Sequence, residues 1–255
     1  EKRDVSLYVG IPFCPTRCAY CSFVSRSVGK RTELLEPYLE ALFKEIRLTG
    51  ELMANSGMAV RTIYIGGGTP TILDERQLED LLAFINEQTD VSALEEFTLE
   101  AGRPDTITRE KLMVAASHGV DRISVNTQTL NDEVLRKIGR AHDTKMFFEA
   151  YKAAKSVGIP NINVDLIAGL PLEGYAAFRH SFDTAIGLYP HMLQLGFLKM
   201  LYGAPLREAG EYPCRYTAEP PYEVIETPAI TADELDRIRH SVKITFKDQT
   251  EYRIL

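Results

Sequence analysis

At 255 residues, 45% hydrophobic and 25% charged, the chain has ordinary globular composition and is long enough for one α/β barrel. Its formal charge of −7 argues against a nucleic-acid-binding surface. No apolar run approaches the ~18 residues of a membrane span, and the apolar stretch Val5 to Phe13, broken by Pro12, is no signal peptide. Three of the four cysteines are bunched, which points to a reducing cytoplasm rather than a disulfide framework. The chain opens without a methionine, so it reads as an excised domain with an upstream segment missing.

Val5 to Ile11 is a β-rich run ending at Pro12 and reads as a buried strand. The loop Cys14-Pro-Thr-Arg-Cys18-Ala-Tyr-Cys21 follows its carboxyl end, where active sites of α/β barrels collect. Within 33–56, Leu35, Leu39, Leu42 and Ile46 recur at helical spacing, with Pro37 tolerable in an early turn. Thr62 to Ile65 is a second strand that runs into Gly66-Gly-Gly-Thr-Pro70. Asp74 and Gln77 form a capping box ahead of Leu78, Leu81, Leu82 and Ile85. Glu96 to Glu100 is a third strand, 108–118 a short helix and Asp121 to Val125 a fourth strand. One or two helices over 131–157 precede the strand Ile162 to Ile167, which ends in Ala-Gly-Leu-Pro171. Residues 173–188 are helical, and Met192 to Phe197 is a sixth strand.

This alternation implies parallel βαβ units, and six of them fit a partial (β/α)6 TIM-like barrel over residues 1–200. Residues 201–255 form an irregular extension. Tyr212 to Pro228 holds four prolines and reads as a loop. Thr231 with Glu234 caps a last helix near 232–243, and Ile244 to Phe246 with Tyr252 to Leu255 is an edge strand or a frayed end.

The chemistry concentrates in the cysteine loop. Thiolates are soft ligands for zinc, copper or iron–sulfur centres. A structural zinc site needs four ligands, usually in two well-separated pairs. Here the first histidine is His118, and Cys214 is remote. Three clustered thiolates without a local fourth ligand suit a 4Fe–4S cubane with one iron left for another ligand. Unligated thiols, or zinc with borrowed ligands, remain open. The histidines at 118, 142, 180, 191 and 240 show no paired metal spacing, and no nucleophile elbow or phosphate loop appears.

Cys14-x3-Cys18-x2-Cys21, with aromatic Tyr20 before the last cysteine, resembles the signature of radical S-adenosylmethionine (radical SAM) enzymes. The stretch from Tyr8 to Phe23 is similar to the oxygen-independent coproporphyrinogen III dehydrogenase group. The resemblance implies the same partial barrel and a 4Fe–4S cluster on Cys14, Cys18 and Cys21. It also implies S-adenosylmethionine as cofactor, with Gly67, Gly68 and Thr69 meeting its amino group. A plain strand-to-helix turn would explain that glycine triplet as well. Glu100 matches the family's strand-end acid, although an exposed strand end is the alternative. Gln128, Arg140 twelve residues on and Asp165 twenty-five further match cofactor contacts. Arg140 could pair a carboxylate with its planar fork, and Asp165 could accept from ribose hydroxyls. Taken singly, Arg140 reads as a solvated helix charge, Gln128 as a turn residue, and a buried Asp165 would need a partner. Tyr8 and Tyr20 resemble positions touching cluster or cofactor; core packing serves Tyr8 equally well.

The activity so implied is that of an oxidoreductase in porphyrin biosynthesis. An external donor such as a flavodoxin or ferredoxin reduces the cluster, and the cofactor yields a deoxyadenosyl radical. That radical takes hydrogen from a propionate of coproporphyrinogen III, which decarboxylates to a vinyl group. No general acid or base is assigned. Beyond about Glu173 the resemblance to this group stops, and the stretches 194–205 and 220–224 look more like tails of cobalamin-associated radical SAM proteins. Cobalamin-linked methyl transfer or rearrangement, a non-catalytic haem carrier and a zinc-stabilised module are therefore rival readings. Lys199 could meet a substrate carboxylate or be merely solvated, and Cys214 reads as a free thiol.

Overall fold

The computed structural model describes residues 3–23, 26–27 and 32–241. The segments expected at 244–246 and 252–255, and the end of the last expected helix, lie outside them. Six strands form one sheet in chain order: Arg3–Ile11, Met58–Gly67, Glu96–Glu100, Arg122–Ser124, Asn161–Ala168 and Met192–Phe197. The first to the fifth pair in parallel, and the first and sixth are the two edges. This is the topology of a partial (β/α)6 barrel. No helix among the described residues is long and apolar enough to cross a membrane.

The chain divides into two compact units. One comprises Glu1–Arg17, Val24–Asn126 and Lys145–Asn163; the other comprises Cys18–Phe23, Thr127–Thr144 and Val164–Leu255. In the first, Val9, Ile11, Ile63, Ile65, Phe97 and Leu99 are buried, the β-branched and large apolar strand residues that a covered parallel sheet requires. Gly10 stands beside Gly66, and Glu100 beside Ser124, so the register brings neighbouring strands to an end together. Helix α1 (Leu35–Asn55) buries the expected Leu35, Leu39, Leu42 and Ile46. Helix α2 (Glu75–Gln88) begins with the expected capping box: Asp74 accepts from the Gln77 amide while the Gln77 side chain accepts from the Asp74 amide. Helix α3 (Arg109–Ser117) is capped by Thr108, and α5 (Thr144–Ser156) buries Phe147, Ala150, Tyr151 and Ala154.

The second unit holds α4 (Asp132–Lys137), α6 (Tyr175–Gly187), α7 (Pro205–Glu208) and α8 (Ala232–Ser241). The Thr231–Glu234 box opens α8 as its spacing predicts. One expectation fails: 212–228 is not merely a loop. Arg215–Tyr216 pairs antiparallel with Val224–Glu226, and the Val224 amide donates to Leu198 O at 2.8 Å. Pro213, Pro220, Pro221 and Pro228 all lie outside the paired residues, so no ladder donor is lost. Two short strands this close to proline give no alternation long enough to read.

Candidate cofactor site

In the first unit the glycine turn presses on the start of the cysteine loop. The Gly68 amide donates to Ile11 O at 2.8 Å, and the Thr69 amide donates to Phe13 O at 2.7 Å. The Thr69 hydroxyl, buried, reaches Cys14 Sγ at 3.4 Å. A Cβ on Gly68 would stand 2.5 Å from Phe13 O and 3.0 Å from Cys14 Sγ, so only glycine fits. Gly67 takes φ +110°, which L side chains rarely adopt, and its amide donates to Glu100 Oε2 at 3.2 Å. Glu100 is thus a half-buried carboxylate oriented by backbone, not a bare strand end. Tyr8 is 62% exposed and stacks on Tyr64 at 5.9 Å, which rejects the core-packing account. Burial first, and the Glu100 charge second, push its phenol up.

Sequence reasoning missed Arg103. It is only 4% exposed, pairs Asp105 at 3.2 Å and donates to Thr16 O at 3.3 Å and Thr16 Oγ1 at 2.8 Å. A buried cation needs such partners. Here one of them is the cysteine loop itself. The Arg-Pro-Asp run after the third strand was the available signal, but nothing local names Thr16 as its target.

In the second unit the rest of the loop is fixed by backbone. The Ala19 amide donates to Ile138 O at 2.9 Å, the Leu206 amide to Ala19 O at 2.7 Å, and the Cys21 amide to Cys18 O at 3.2 Å. Helix α4 ends, and Gly139 at φ +77° turns the chain so that Arg140 points inward, 7% exposed. Arg140 is therefore no solvated helix charge. Its Nη2 donates to Tyr20 Oη at 2.9 Å. Burial raises the Tyr20 phenol well above its ordinary range. Asp165 is pushed up to about 6 by burial, with the Arg140 charge pulling it back down. Gln128 adopts φ 70° and is more than a turn residue: its amide donates to Asp165 O, and its carbonyl accepts from the Ile167 amide, both at 2.9 Å. Lys199 is exposed, in keeping with solvation, and Cys214 is a free thiol whose pKa burial raises.

A second buried group escaped the sequence reading. Glu173 is fully buried, accepts from the Thr129 hydroxyl, and is pushed up to about 7 by burial. Ser181 Oγ lies 3.4 Å from the same Thr129 hydroxyl.

Cys14, Cys18 and Cys21 are unbridged thiols. Among the described residues no three His, Cys, Asp or Glu side chains converge on one point, as a mononuclear ion requires. A cubane asks something else, since each cysteine binds a different iron. The donor set and the glycine cradle beside Cys14 fit that demand.

The six-stranded parallel sheet, with its thiol loop after the first strand and glycine turn after the second, defines an α/β protein with a cluster of cysteines at its strand ends. The chain belongs to the radical SAM superfamily, whose family model matches residues 8–185. The family's cofactors are a 4Fe–4S cluster and S-adenosylmethionine. The chain is 42% identical over 193 residues to the oxygen-independent coproporphyrinogen-III oxidase-like protein HemZ of Bacillus subtilis, covering 75% of this chain and 38% of HemZ. It is 40% identical over 185 residues to the heme chaperone HemW of the same organism, covering 72% of this chain and 47% of HemW. The solved structure of coproporphyrinogen III oxidase HemN from Escherichia coli, a radical SAM enzyme, matches with TM-score 0.77 and 26% identity. That match covers 94% of this chain and 52% of HemN, so the chain spans about half the length of these relatives or less.

Proposed function

We propose that the chain is the catalytic core of a radical SAM oxidoreductase acting on the propionate side chains of coproporphyrinogen III. Cys14, Cys18 and Cys21 hold the cluster, and a flavodoxin- or ferredoxin-type donor in the cytoplasm reduces it. Cluster and S-adenosylmethionine together supply one-electron chemistry that removes a hydrogen atom from substrate. The residues of the chain bind and orient. Gly67, Gly68 and Thr69 offer backbone that a ligand can approach closely, and Glu100 accepts from an ammonium. Arg140 forks onto a carboxylate, Asp165 accepts from ribose hydroxyls, Gln128 is a further cofactor contact, and Tyr8 and Tyr20 flank the cluster.

The observation that carries this reading is the glycine turn locked on Cys14 with Glu100 held by the Gly67 amide. It joins a ligand cradle to a cluster thiol. Anaerobic reconstitution with iron and sulfide, then dithionite and S-adenosylmethionine, should give 5′-deoxyadenosine, read by chromatography. Cys18→Ala should lose both the brown chromophore and that product. With coproporphyrinogen III added, vinyl products are expected; methylated products would point instead to cobalamin-linked methyl transfer. A second reading, haem delivery without turnover, is favoured by the identity to HemW. It predicts bound haem on purification and no vinyl product.

A further inference from the structure

We infer that Arg103 is a positioning residue: its side chain and the turn it opens tie the cysteine loop to the segment after the glycine turn, and so hold the cluster thiols in register with the cradle beside them. This rests on the reading of Cys14, Cys18 and Cys21 as cluster ligands. The buried guanidinium closes on its own turn first. Its Nε donates to Asp105 Oδ1 at 3.2 Å and its Nη2 to Asp105 Oδ2 at 3.3 Å, which neutralises the charge. The same fork then reaches a residue 87 positions away. Nη1 donates to Thr16 O at 3.3 Å and Nη2 to Thr16 Oγ1 at 2.8 Å. Thr16 stands midway between Cys14 and Cys18. An ammonium could not span Asp105 and both Thr16 oxygens; the link needs a planar fork.

The same turn grips the other half of the site. The Thr106 amide and hydroxyl both donate to Arg103 O, at 2.9 and 2.8 Å. A hydroxyl has one proton, so in the 2.6 Å contact between Thr106 Oγ1 and Thr71 Oγ1 it is Thr71 that donates. Lys111 Nζ donates to Thr71 O at 2.9 Å and to Thr106 O at 3.2 Å, pinning both ends of that contact. Thr71 follows closely on Thr69, whose hydroxyl reaches Cys14 Sγ. Hydrogen bonds therefore run from Thr16 through Arg103 and Thr106 to Thr71. The backbone from Thr71 back to Thr69, and from Cys14 on to Thr16, closes the circuit.

The test is cluster retention and cofactor response in reconstituted protein. Thr16→Val keeps the side chain's shape and removes the oxygen that Arg103 reaches. The chelator concentration that strips half its iron should fall about tenfold, the low end of the loss when a group orienting a metal site is removed. After dithionite reduction, S-adenosylmethionine should change the electron paramagnetic resonance of the wild-type cluster, and the variant should need about tenfold more for the same change. Thr16→Ser keeps the oxygen and should restore both values. Thr106→Val, which cuts the circuit at its other end, should also raise the S-adenosylmethionine requirement. Arg103→Met removes every link to Thr16 at once and should exceed Thr16→Val in both effects; should it fail to fold, the two threonine variants decide. A bond that only stabilised the fold would lower the melting temperature and leave the resonance response unmoved. That result in both threonine variants overturns the role of Arg103 alone. A wild-type protein that assembles no cluster overturns the cluster reading beneath it.

Discussion

Glu173 is fully buried, with one oxygen taking the Thr129 hydroxyl and the other, Oε2, without a hydrogen-bond partner among the described residues. Ionising it there would place a charge in a buried site, so burial lifts its pKa from an ordinary 4.5 to about 7. Between those values the folded chain binds more protons than the unfolded one. Its contribution to stability is therefore complete below about pH 4.5 and is lost as pH rises through about 7. Asp165, lifted from 3.8 to about 6, acts in the same direction over a lower window. Glu173→Gln keeps the shape and cannot ionise. Thermal melts at pH 5 and pH 8 should show the wild type losing more stability than the variant across that interval; equal losses would refute the burial argument. Asp165→Asn should weaken S-adenosylmethionine binding, measurable by equilibrium dialysis, while leaving iron content unchanged.

At the scale of elements, the turn between the second strand and its following 3-10 segment (Pro70–Ile72) has almost no tolerance. Gly68→Ala drives a methyl into the Phe13 carbonyl and the Cys14 sulfur, and a carbonyl cannot swing aside as a long side chain can. Overpacking of this kind costs about 1–3 kcal/mol. Reconstituted Gly68→Ala should melt lower and carry less iron, and a variant with wild-type values on both counts would sink the close-packing account. Helix α2 offers a contrast. Asp74→Ala removes its capping box and should cost about 1 kcal/mol, read by chemical denaturation, with no change in iron content.

Across the whole molecule, the first unit depends on apolar side chains whose strand and helix positions the periodicity already marks. Leu82, fully buried on α2, should cost about 2–5 kcal/mol when cut to alanine, through lost burial and the cavity left behind. A denaturation midpoint unchanged from wild type would contradict that. Six strands, their order and most helices were legible because a helix or strand is a local pattern of apolar residues and caps a few positions apart. The hairpin of 215–216 and 224–226 was not, because its strands are too short to show alternation and its partner at Leu198 is remote in the chain.

The candidate site divides along the same line. The cysteine spacing, the glycine turn and the intervals to Gln128, Arg140 and Asp165 are properties of the chain as written, and it is the family resemblance they carry that points to the cofactor chemistry. Where each side chain lies was decided only by folding: Tyr8 exposed on Tyr64, Arg140 buried on Tyr20, Arg103 closed on Thr16, Glu173 sealed beside Thr129. Tyr20 and Arg140 are 120 residues apart, Arg103 and Thr16 87 apart. Hydrogen bonds and burial act across such separations only once the backbone has closed, so no local pattern in the sequence records them.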